Sequence, residues 1–110
     1  MQVIKSFQEK KGGGTIMLSV YKYTAKIEDV IKFILPRFAK ILRVDTQDDG
    51  RSDTIALWAA IDPNTEYRQL RTIRIAGTGH PIDHENVQLV YINTFTTMNK
   101  KLWFHVFEVL

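Results

Sequence analysis

At 110 residues the chain has the length of one domain, and 45% hydrophobic against 25% charged residues excludes a wholly disordered polymer. The formal charge of +3 looks basic, but Lys5, Lys10 and Lys11 against Glu9 place two of those charges in residues 1–14. The body is therefore close to neutral, which argues against an extended nucleic-acid groove.

Cysteine is absent, so disulfides and thiolate chemistry are excluded. No apolar run approaches the ~18 residues of a membrane span, and no signal-peptide pattern opens the chain, so a cytoplasmic protein is expected. In chain order, Gly12, Gly13 and Gly14 break any regular element, which makes 1–14 a flexible basic leader and 15–110 the domain.

Residues 15–25, rich in β-branched and aromatic types, read as a strand. Residues 27–44 support two readings. Ile27, Val30, Ile31, Ile34, Leu35, Phe38, Ile41 and Leu42 recur at helical steps, with Glu28 and Asp29 suited to a first turn. Against that stands Pro36, which costs about 3 kcal/mol inside a helix. The rival is strand 30–35, a Pro-Arg turn, then strand 40–46.

Residues 54–61 form an apolar strand ending at the turn signal Asp62-Pro63-Asn64. Trp58 then faces outward with Thr54, Ala56 and Ala60, opposite Ile55, Leu57 and Ile61, where it can stack a base or anchor a partner. Residues 70–76 alternate, with Arg68 and Arg74 on one face and Arg71 on the other. Strands 88–96 and 101–109 bracket the polar turn Thr97-Met98-Asn99-Lys100, a hairpin. The last strand is apolar on both faces, with Trp103, His105, Phe107 and Val109 on one side and Leu102, Phe104 and Val106 on the other. Such a strand lies between two layers or in a subunit interface, and a homo-oligomer is one expectation.

The most distinctive segment runs from Arg74 to Asp83. Gly77 and Gly79 permit tight turns that bring N–H groups to an anion, while Arg74, Thr78 and His80 add donors. The alternative is a structural turn in which glycine supplies positive φ. Neither a P-loop nor a dinucleotide fingerprint is present, so no cofactor is implied. His80 and His84 have a metal-like spacing, but Pro81 opposes the helix that would align them, and a zinc site needs three or four ligands. His105, between Trp103 and Phe107, reads as a core histidine. No nucleophile elbow occurs, no catalytic residue is assigned, and His80 with Asp83 is the one acid–base pair an enzyme would have.

Several segments together carry a resemblance: Tyr21-Lys22-Tyr23, Pro36-x-x-Ala39-Lys40-Ile41-Leu42, Leu57-Trp58-Ala59 with Asp62-Pro63, Arg71-x-x-x-Ile75-x-Gly77-Thr78-Gly79-His80-Pro81-Ile82, Tyr91-Ile92-x-Thr94-Phe95 and Phe104-His105-Val106-Phe107-Glu108. Over residues 17–109 the chain resembles a small uncharacterised family encoded by bacteriophages and prophages. The resemblance implies a turn at the Pro-x-x-Ala segment, which favours the β reading of 27–44. The chain departs from the family in its charged insert, Asp48 to Asp53, and in Asn93, where the family tends toward glycine.

The expectation is a mainly β domain of about seven short strands, a small sandwich or partly open barrel; the alternative is α+β with one helix near 28–42. The function expected is a non-catalytic phage accessory protein in the host cytoplasm. Its partner would be a host protein or a small anionic ligand such as a nucleotide. Sequestering a nucleotide signal would use Arg74, Gly77, Thr78, Gly79, His80 and Trp58; blocking a host protein would use an exposed sheet face. Either would counter host antiviral defence. The alternative is a minor virion or assembly protein.

Overall fold

The computed structural model describes residues 17–48, 53–83, 85–97 and 100–110. These form seven strands and no helix: β1 (Ser19–Lys26), β2 (Val30–Pro36), β3 (Lys40–Thr46), β4 (Thr54–Ile61), β5 (Arg68–Gly77), β6 (Leu89–Thr97) and β7 (Leu102–Val109). They make two sheets, ordered β1-β4-β3 and β2-β5-β7-β6, with every neighbouring pair antiparallel. The sheets are not closed into a barrel, so the fold is a small β sandwich. The leader at 1–14 lies outside the described residues, as does His84.

The helix considered over 28–42 is not formed. In β2, Ile31, Phe33 and Leu35 enter the core while Val30 and Ile34 face solvent, so both strand faces are apolar and the run mimics a helical stripe. A bulge between Ile41 and Arg43 adds one residue to β3, which puts Ile41 and Val44, three apart, on the same inner face. Pro36 ends β2, and the Ala39 N–H donates to the Pro36 carbonyl at 3.1 Å to close the turn to the other sheet. Within that turn Phe38 adopts φ of 67°, and the Arg37 guanidinium lies 4.8 Å from its ring centre.

The remaining strands fall where their patterns place them. At Asp62-Pro63-Asn64 the Asp62 carboxylate accepts the Asn64 N–H at 2.9 Å, an Asx turn that returns the chain to the larger sheet. Ile55, Leu57, Ala59 and Ile61 of β4 pack against Ile73 and Ile75 of β5, Phe95 of β6 and Val106 of β7. β7 is central in its sheet, between β5 and β6.

Two polar devices interrupt this core. Arg71 and Glu108 both occupy the inward phase of their strands, and their side chains are only 15% and 11% exposed. The guanidinium grips the carboxylate through Nε and Nη2, and Nη1 donates to the Ala39 carbonyl at 2.8 Å. All three groups are satisfied, as a buried ion pair requires. At the opposite edge a bulge between Tyr91 and Asn93 turns the Asn93 amide toward β3. There it accepts the Val44 N–H and donates to the Val44 carbonyl, each at 2.8 Å, linking the two sheets.

Candidate functional site

Gly77, Thr78, Gly79 and His80 form a tight turn closed by the His80 N–H donating to the Gly77 carbonyl at 3.0 Å. Gly79 has φ of 85° at the third position, where an L residue would be strained. A Cβ on Gly77 would lie 3.1 Å from His80 Nδ1, so the missing side chain lets the imidazole lie against the turn. Both glycines thus have a structural reason to be there.

The donors expected to cradle an anion have internal partners. The Thr78 N–H donates to the Trp103 carbonyl at 3.2 Å, and the His80 N–H is held within the turn. Arg74 donates to the carbonyls of Asp29 (3.2 Å), Pro81 (3.3 Å) and Ile75, with the Asp29 carboxylate 4.0 Å away. Its side chain is only 16% exposed: the guanidinium ties the β1–β2 connection and the loop after β5 to the sheet.

Trp58 does not join this group. β4 belongs to the three-stranded sheet, and the β4 register turns Trp58 to the outer face, as the alternation predicts. Arg74 lies on the outer face of the four-stranded sheet, in phase opposite to Ile73 and Ile75. The expected composite site is therefore divided across the sandwich, because strands β4 and β5 bury opposing faces against each other.

Instead, the loop meets His105. Thr78 Oγ1 lies 2.8 Å from His105 Nε2, His105 Nδ1 lies 3.0 Å from Thr94 Oγ1, and Thr94 Oγ1 lies 2.8 Å from the Tyr91 hydroxyl. His105 is thus not a core residue but a half-buried member of a polar chain on the outer sheet face. A neutral imidazole has one donor and one acceptor nitrogen, so the chain has a direction set by the tautomer. The alternation that puts Trp103, His105 and Phe107 on one face contains half of this signal. The pairing of Thr94 with His105 across β6 and β7 supplies the rest.

The same outer face carries exposed apolar side chains among polar ones such as Lys32, Thr72 and Arg74. Val30, Ile34, Leu70, Tyr91 and Trp103 are 47–67% exposed there, with Phe107 edge-on to Tyr91 at 5.8 Å between ring centres. Among the described residues no three His, Asp or Glu side chains are grouped to hold a metal, and no helix is long and apolar enough to cross a membrane.

A family described as Domain of unknown function (DUF7352) matches residues 17–110. The chain belongs to this family. No curated protein and no solved structure matches it. In this DUF7352 chain the segments around Gly77–Pro81, Tyr91–Phe95 and Phe104–Glu108 meet at the Thr78–His105–Thr94–Tyr91 chain, on the outer face of the four-stranded sheet.

Proposed function

We propose that this DUF7352 protein is a non-catalytic phage accessory protein that docks onto a host protein through the outer face of the β2-β5-β7-β6 sheet. The observation that carries this reading is the asymmetry between the two outer faces. Among the described strand residues, the four-stranded sheet exposes Val30, Ile34, Leu70, Tyr91 and Trp103 outward, whereas the large aliphatic side chain that the three-stranded sheet exposes outward is Val20. Exposed apolar side chains gathered on one sheet face are a mark of interaction sites in soluble proteins. Tyr and Trp beside aliphatic residues are the side chains that dominate protein interfaces.

The partner is a protein rather than a nucleotide held in the glycine turn, since Arg74 and the turn amides already serve carbonyls of the fold. Covering a functional surface of the host protein in the cytoplasm would blunt a defence or redirect host machinery. The phage origin rests on the motif resemblance alone.

The test is cross-linking and capture from host lysate with the unmodified chain and with Ile34→Glu/Leu70→Glu. Both positions are exposed, so the variant should keep its fold by circular dichroism. One specific host partner, lost in the charged variant, is expected. Equal capture by both proteins refutes the reading, and recovery of the chain in purified virions favours the assembly role instead.

A further inference from the structure

The other face of the sandwich has a different chemistry. We propose that the outer face of the β1-β4-β3 sheet binds a nucleobase carrying a phosphate, with Trp58 as the stacking surface and Lys22 and Lys40 as the phosphate contacts. This inference is independent of the docking face, which lies on the opposite side of the protein.

The register builds the platform. Trp58 sits on the central strand, opposite Lys22 of β1 on one side and Arg43 of β3 on the other. One pair further along, Ala60 lies between Val20 and Lys40; one pair back, Ala56 lies between Thr24 and Asp45. No bulky side chain competes with the indole along its own strand. Ala56 and Ala60 point outward and yet are 0% and 2% exposed, so larger neighbouring side chains cover them. Trp58 itself is half-buried on this face, and the part of the indole that meets solvent offers a base a surface for stacking.

The charges around it are one-sided. Arg43 is held by the Asp45 carboxylate at 2.9 Å, and Lys26 lies 3.8 Å from Asp53. Lys22 and Lys40 have no acidic partner among the described residues. They stand on the two strands flanking β4, Lys22 beside Trp58 and Lys40 beside Ala60, about 12 Å apart on the diagonal of the sheet. A phosphate attached to a base on Trp58 falls within reach of either flexible ammonium group. Trp103 lies on the other face, opposite Thr96, with Thr78 bonded to its carbonyl. Trp58 has a cation beside it on each flanking strand, Lys22 and Arg43, which joins π surface to positive charge as a planar anion requires.

The nucleotide can come free or as one unit of a single strand. The full chain carrying Trp103→Phe leaves Trp58 as its only tryptophan, so quenching of its fluorescence reports binding directly. Titrations use AMP in one arm and a short oligothymidylate in the other. Saturable quenching is expected in at least one arm, weakened about tenfold by Lys22→Ala/Lys40→Ala. Oligonucleotide binding should also lose part of its salt dependence in that variant, by about 0.7 in slope per lysine removed. Tighter binding of the oligonucleotide assigns the site to single strands; equal binding per nucleotide assigns it to free nucleotide. Anisotropy of labelled oligothymidylate and labelled AMP with the unmodified chain and with Trp58→Ala repeats the measurement without Trp103→Phe. No saturable binding by either method, or binding unaffected by Trp58→Ala and by the lysine pair, overturns the proposal.

Discussion

The Asn93–Val44 bridge ties β6 of one sheet to β3 of the other. Val44 is 0% exposed and belongs to β3, an edge strand, so its outward N–H and C=O have no strand neighbour. The Asn93 amide stands in for one, with two hydrogen bonds of 2.8 Å. Asn93→Ala removes both partners and leaves two backbone groups without replacement in a part-buried place. An orphaned group costs about 1–3 kcal/mol, and partial access of water lowers that, so the expected loss is about 2–4 kcal/mol in total. For a domain of this length each kcal/mol moves Tm by about 4–8 °C, so Tm should fall by roughly 8–30 °C. Urea unfolding followed by circular dichroism measures the loss directly. Asn93→Asp keeps the acceptor for the Val44 N–H but sets an oxygen against the Val44 carbonyl, so it should also destabilise. If Asn93→Ala and Asn93→Asp both stay within about 0.5 kcal/mol of the parent, the bridge does not hold the sheets together.

The Arg71–Glu108 pair should show the behaviour of a buried ion pair: Glu108→Ala strands the guanidinium and costs about 3–5 kcal/mol. Arg71→Met/Glu108→Leu should recover most of that loss in the same unfolding assay, and a double variant as unstable as the single one would contradict the reasoning. Tyr23 gives a pH effect. Burial raises its phenol pKa above the ordinary 10.0, against a smaller lowering by Arg68. The unfolded chain therefore loses this proton first, and the contribution of Tyr23, complete below pH 10, disappears as pH rises through the folded pKa. Stability measured from neutral pH upward should fall less steeply in Tyr23→Phe than in the parent; parallel curves would exclude the effect.

Turn chemistry and alternation made much of this fold readable. Asp62-Pro63-Asn64 ends β4, β6 and β7 pair antiparallel as the hairpin reading expects, and period two along 54–61 turns Trp58 outward. Over 27–44 the same reasoning was ambiguous for a physical reason. β2 is apolar on its exposed face as well, and the extra residue at the β3 bulge breaks period two where it would have excluded a helix.

What the chain by itself determined is local: which residues extend, where they turn, and which face of its own strand each side chain takes. These follow from backbone sterics and from the spacing of apolar side chains. Which strands are neighbours was decided by the tertiary structure. Three connections, β1–β2, β2–β3 and β4–β5, pass from one sheet to the other, and that crossing puts Trp58 and Arg74 on opposite sides of the molecule. The same packing brings Arg71 to Glu108, Asn93 to Val44 and Thr78 to His105 over sequence separations of 37, 49 and 27 residues. Alternation along a strand specifies a face and not a partner, so Arg71–Glu108 and Thr78–His105 exist only once β5 and β7 have paired, and Asn93–Val44 only once the two sheets have closed on their common core.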